Sequence, residues 1–222
     1  MSATGAVIFD LDGTLCEFER SSDEVLAATF EQLGLDQPFD MQAFHAGYTE
    51  FLQKAADARE LYERCFEKLA NEAGLEPGTG ERITETFLAE RDLAAVHPTP
   101  GAHAMVEAVR DRQPVGLVTN GHPDIQWRKL RAIDLADRFD VVVFAGYETP
   151  AKPATEPFDV AIEELAVDRA ESLYVGNVPG IDVRGARAAG LRTALVANGE
   201  IAETFDPDYH VGSLEELLER LG

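Results

Sequence analysis

Five short apolar runs set the pattern of this chain: AVIF (6–9), VGLV (115–118), VVVFA (141–145), LYVG (173–176) and TALVA (193–197). They are apolar throughout rather than alternating with polar residues, so each reads as a strand covered on both faces. Helix-length stretches at 102–112, 124–135, 156–166, 180–189 and 213–221 separate or follow them. The last opens on Ser213 with Glu216 three residues on, the spacing of a capping box. Strands buried on both faces and linked by helices imply a parallel sheet between two helical layers. The expected fold is a doubly wound α/β sheet.

Residues 16 to about 97 interrupt that alternation. No convincing strand is read there. Helices are expected around 22–33, 40–56, 58–73 and 79–95, with Leu61, Cys65, Leu69 and Ala73 as the apolar stripe of the third. Gly34 and Gly74 stand where helices would stop. The segment PTPGAHAMVEAV then restores the α/β pattern. The expected division is a core of residues 1–15 and 98–222 and an all-helical cap of residues 16–97, inserted directly after the first strand. Internal repeats and low-complexity tracts are not apparent.

With 222 residues, 45% of them hydrophobic, the chain can build one sizeable core, or a core carrying a smaller insert. No apolar run approaches the roughly 20 residues needed to span a bilayer. MSATGAVIFDLDG lacks the basic segment and cleavage site of an export signal, so a cytoplasmic protein is expected. Cys16 and Cys65 read as reduced packing thiols rather than a disulfide framework. Forty-one acidic against 19 basic residues give a net charge of −22, and only four of the bases are lysines. Such a surface repels nucleic acid and anionic membranes, which excludes both as expected partners. The acids are spread along the chain rather than gathered in a tail, which suits a folded domain in a high-salt cytoplasm.

The chemistry gathers where the strands end. AVIF runs straight into Asp10 and Asp12, whose spacing places both side chains on one side of an extended strand. That is the strand's carboxyl end, where open α/β sheets hold their active sites. Two like charges this close raise each other's pKa unless a cation neutralises them, and oxygen donors favour a hard ion such as Mg²⁺. The second strand ends in VTNG, bringing Thr119 and Asn120 to the same edge, with a hydroxyl and backbone N–H groups suited to phosphate oxygens. Lys152 follows the third strand, a lysine kept in a chain that avoids lysine. YVGNVPGIDVRGA follows with Asn177 and Asp182.

FDLDGT, VTNG, the lysine of AKP, and GNxxxxD followed by RGA resemble motifs one to four of the haloacid dehalogenase-like superfamily. The resemblance covers nearly the whole chain. It implies a Rossmann-like parallel core with a mobile helical cap that closes over the substrate, and places the chain near nucleotidases, phosphoglycolate phosphatases and sugar phosphatases. On this chain it makes Asp10 the nucleophile that becomes an aspartyl phosphate, and Asp12 the group that protonates the leaving oxygen and then activates water. Thr119, the amide of Asn120 and Lys152 would hold the phosphoryl oxygens. Mg²⁺ would lie among Asp10, the backbone carbonyl of Asp12, Asn177 and Asp182. The dehalogenases that name the superfamily lack an aspartate at the position of Asp12, so the resemblance implies a phosphatase.

Motif four departs from the usual GDxxxxD, since Asn177 replaces its first acid. That implies weaker Mg²⁺ binding, or Asp182 moving into direct contact with the ion. The rival reading is a catalytically weak or inactive protein that binds a phosphorylated metabolite. In either case the expected partner is a small phosphorylated metabolite, bound by a monomer or homodimer. Arg20, His45, Tyr48 and Tyr62 are candidate contacts from the cap, with CEFER (16–20) beside them. His122 reads as a turn residue close to the chemistry, and Trp127 as packing.

Overall fold

Every side chain of Val7–Phe9 (β1) is buried, and the strand feeds two cores at once. Val7 and Phe9 enter one apolar cluster and Ile8 the other, as the two-residue period of a strand requires. In the computed structural model, which describes residues 5–199, 202 and 204–222, β1 lies inside a six-stranded sheet. Numbered in chain order, its strands include Val115–Asn120 (β4), Val141–Ala145 (β5), Leu173–Gly176 (β6), Arg192–Val196 (β7) and Tyr209–Val211 (β8). Their order is β5-β4-β1-β6-β7-β8, every pairing parallel. Val7 stands opposite both Val115 and Leu173, so β1 carries ladders on both edges.

Helices cover both faces, as strands apolar on both sides require. Ala102–Arg110 (α5), Pro123–Ala132 (α6) and Leu214–Leu221 (α9) pack with Phe9, Leu117 and Val175. Glu156–Leu165 (α7) and Arg184–Ala188 (α8) pack with Ile8, Val118 and Tyr174 on the other side.

Ser22–Leu33 (α1), Met41–Leu52 (α2), Ala58–Glu72 (α3) and Thr79–Glu90 (α4) form a third cluster around Phe30, Phe44, Phe66 and Phe87. The rings of Phe44 and Phe66 lie 4.8 Å apart and those of Phe66 and Phe87 5.2 Å apart. Each helix has a local reason to start or stop. Ser21 and Glu24 form a full capping box at the head of α1, and Gly34 ends it at φ 66°. Asp40 and Asp57 cap α2 and α3.

The segment expected to lack strands contains two. Cys16–Phe18 (β2) pairs antiparallel with Val96–Pro98 (β3), Cys16 opposite Pro98 and Phe18 opposite Val96. Each is three residues long with exposed acidic or polar positions, too short for a strand period to register. They are the segments by which the chain enters and leaves the helical layer. Two of the expected helices stop early, at Leu52 and Glu90. The helix expected at 180–189 begins as a π-helical turn, Pro179–Val183. β8 is a strand the apolar pattern does not announce, because YHV is short and half polar. At α9 the Ser213 hydroxyl accepts the Glu216 N–H, but the Glu216 carboxylate reaches the N–H of Gly212, so the box is shifted by one residue. Residues 1–4, at the start of the expected core, lie outside the described residues. Among the described residues no helix is long and apolar enough to cross a membrane.

Candidate active site

β1 delivers Asp10 to the carboxyl edge of the sheet, where the residue is 6% exposed. Its Oδ1 accepts a hydrogen bond from Lys152 Nζ at 2.9 Å. The same ammonium donates to Asp182 Oδ1 at 2.7 Å and to the Tyr174 hydroxyl at 2.7 Å. The Tyr174 hydroxyl in turn donates a hydrogen bond to the carbonyl of Val118 at 2.9 Å. Asn120 holds the lysine's loop: its Oδ1 accepts the Lys152 N–H at 2.9 Å, and its Nδ2 donates to the Lys152 carbonyl at 3.1 Å. Asp182 sits in the π-helical turn, and its Oδ2 accepts the N–H groups of Asn177 and Val178 at 3.1 and 2.9 Å. A Cβ on Gly176 would come within 2.5 Å of the Asp182 side chain, so only glycine lets that turn close against β6. Both Asp182 oxygens are thus engaged by the protein.

Asp12 has a lysine of its own. Lys129 Nζ lies 2.6 and 2.9 Å from its two oxygens. Gln126, one turn earlier on α6, donates to Asp12 Oδ2 at 2.9 Å and to the Thr119 hydroxyl at 2.7 Å. Two of the chain's four lysines therefore lie at this edge, each on one of the paired aspartates.

The charge states follow from burial and neighbours. Burial pushes the Asp10 carboxyl up to about 7; Lys152 opposes this less strongly, and Asp182 and Asp12 add to the rise. Burial also works against the charge on Lys152, but Asp10 and Asp182 outweigh it and hold the ammonium above its usual range. One ammonium thus serves two buried carboxylates. Burial would raise Asp12 too, yet Lys129 and Gln126 outweigh it and keep the carboxyl below its usual range. Cys16 lines the site, but burial raises its thiol, and Cys65 is raised to about 12. Both are free and buried, and neither is a nucleophile at neutral pH.

These groups open into a cavity of about 670 Å³, the volume of a small-metabolite site. Its roof comes from the inserted segment: Phe18, Phe44, His45, Tyr48, Tyr62 and Arg91. Of the four residues expected to contact substrate from this segment, His45, Tyr48 and Tyr62 line the cavity, whereas Arg20 turns away to Glu90 at 3.2 Å. His122 is buried as the N-cap of α6, its Nδ1 accepting the Asp124 N–H, and Trp127 packs edge-on against Phe144.

The donors suit a hard divalent cation. The Asp10 and Asp182 carboxylates, the Asp12 backbone carbonyl and the Asn177 amide oxygen would all offer it oxygen donors. Three carboxylates, Asp10, Asp12 and Asp182, face two ammonium groups, Lys129 and Lys152, so a divalent ion would supply the charge that is short. The acid count is low: among the described residues no three His, Cys, Asp or Glu side chains gather as a metal site. Asn177 instead takes the Thr14 hydroxyl on its Oδ1 at 3.3 Å.

The motifs leave Lys129, Gln126, Tyr174 and Arg91 unannounced. Lys129 carries the same signal as Lys152, a lysine in a chain that avoids them, and stands three residues from Gln126 on one helical face.

The chain belongs to the haloacid dehalogenase-like hydrolase family, which it matches over residues 4–190. The phosphoserine phosphatase of Thermus thermophilus is 36% identical over 166 residues, covering 74% of this chain and 66% of that protein. The pyrimidine 5′-nucleotidase YjjG of Escherichia coli is 29% identical over 228 residues, covering 97% and 96% of the two chains. The crystal structure of the HAD-hydrolase YfnB from Bacillus subtilis, bound to magnesium, matches with a TM-score of 0.73 at 24% identity over 99% of both chains.

Proposed function

We propose that the protein is a Mg²⁺-dependent phosphatase that hydrolyses small phosphomonoesters through an aspartyl phosphate on Asp10. The observation that carries this reading is the Asp10 carboxylate itself, held by Lys152 at the end of β1 and facing a roofed cavity. A Mg²⁺ ion held by Asp10, the Asp12 carbonyl, Asn177 and Asp182 would neutralise phosphoryl charge. Asp12 is ionised at rest and takes up a proton from solvent before the productive encounter. Asp10 Oδ then attacks phosphorus, and the leaving alcohol takes that proton. Thr119, the Asn120 amide and Lys152 hold the phosphoryl oxygens during transfer. Asp12, now ionised, takes a proton from water as the water attacks the aspartyl phosphate. The roof excludes bulk water from that intermediate.

The test is phosphate release from a panel of monoesters, with and without Mg²⁺. Release that requires the ion is expected. Binding without turnover at every Mg²⁺ concentration would sink the enzymatic reading in favour of a phosphometabolite binder. We further propose that the acidic surface is adapted to concentrated salt. The melting temperature should then rise between low salt and molar potassium chloride, and an unchanged value would count against it.

Lys129 gives Asp12 its resting charge, so Lys129→Met should move the alkaline limb of the pH–rate profile, on which Asp12 loses the proton it donates. Without the ammonium, burial is left to raise the Asp12 carboxyl, so that limb shifts to higher pH. A limb that stays in place would show that Asp12 is not the group being titrated.

A further inference from the structure

Arg91 follows α4 in extended conformation and is 6% exposed. In a chain with 41 acids, its guanidinium meets none of them within ion-pair distance among the described residues, while Arg20, Arg59, Arg64 and Arg138 each do. Its Nη1 makes a long hydrogen bond of 3.4 Å to the carbonyl of Arg20, and its buried Nε has no partner. Burial works against its charge, yet a guanidinium keeps its proton. A buried cation with unspent donors is costly, and stability alone gives no reason to keep it.

Its position supplies a reason. Arg91 lines the cavity and lies flat against Phe18, 3.6 Å from the ring centroid. The same ring stands 4.9 Å from Lys129 Nζ, the ammonium that holds Asp12. Arg91 and the ammonium that holds Asp12 therefore stand against the same aromatic ring. His45, Tyr48 and Tyr62 line the same wall.

We propose that Arg91 is a subsite for a second oxyanion, a carboxylate or a second phosphoryl group carried by the leaving alcohol. The preferred substrates are then short phosphomonoesters with a negative charge at the end away from the reacting phosphate. A guanidinium pairs with either anion through parallel N–H donors. This inference deepens the phosphatase reading and rests on it.

The experiment compares 2-phosphoglycolate, ethylene glycol bisphosphate and the neutral-ended 2-hydroxyethyl phosphate on the wild type, Arg91→Met and Arg91→Lys. Both turnover and calorimetric binding are measured, with p-nitrophenyl phosphate as a general phosphatase probe. The wild type should favour one charged ester over the neutral one by about 10- to 100-fold. Arg91→Met should erase that preference and leave the neutral ester within about threefold, with Arg91→Lys in between. Whichever charged ester wins identifies carboxylate or phosphoryl. A wild type without preference, or a preference that survives Arg91→Met, overturns the subsite. Arg91 acting only as a clip on Phe18 would give that second result. Failure to release phosphate from any of the four esters overturns the phosphatase reading separately, and the binding preference still decides the fate of Arg91.

Discussion

Asp10→Asn is expected to lower kcat for phosphate release by at least about 10⁴-fold, with little loss of folded protein. An amide in place of the carboxylate has no anionic oxygen to place on phosphorus, while its size and hydrogen-bonding shape are kept. Lys152 retains Asp182 at 2.7 Å and Tyr174 at 2.7 Å, so its charge stays matched. The stability change should be small or favourable, since burial already pushes the native carboxyl up to about 7. Phosphate release and a melting curve on the same preparation check both halves. Activity within about a hundredfold of the wild type would remove Asp10 from the nucleophile's role.

Lys152→Met should have the larger effect on stability, about 3–5 kcal/mol, because it strands two buried carboxylates at once. That is a large share of the roughly 5–15 kcal/mol by which a domain is folded. The loss should depend on pH. A carboxyl whose pKa is raised in the folded state binds more protons folded than unfolded, so stability falls as pH rises from the unfolded value towards the folded one. In the wild type that window runs from the ordinary carboxylate value of 3.8 to about 7 for Asp10. Removing Lys152, which pulls Asp10 down, should extend the decline above pH 7. Urea denaturation at several pH values measures it, and a pH-independent loss would show that packing, not charge, is what the lysine provides.

How much of this is legible in the sequence depends on how local the cause is. AVIF, VGLV and LYVG declare themselves because a strand buried on both faces needs apolar residues at every position. Asp10, Thr119, Asn120, Lys152 and Asp182 follow, since the direction of a parallel strand fixes the edge at which it ends. Lys129 and Gln126 are harder. They sit in mid-helix, and their direction is set only when Ile125 and Leu130 dock α6 against its neighbours. Tyr174 looks like any core aromatic until the Lys152 loop folds over it. Cys16–Phe18 and Val96–Pro98 form strands only because they meet each other, about 80 residues apart in the chain.

That meeting has a kinetic consequence. β1 must find β4, with Val7 opposite Val115, before the sheet can close. Pairings so distant in sequence normally slow folding, because the loop between them has to be closed first. Helices α1 to α4 are built from neighbouring residues and assemble around their own phenylalanines. Once they do, zipping β2 to β3 brings Cys16 beside Pro98, and the intervening segment acts as a short tether. The insertion that separates the first strand from its partner in the sequence thereby restores them to near neighbours in space, and the search that remains for the sheet is a local one.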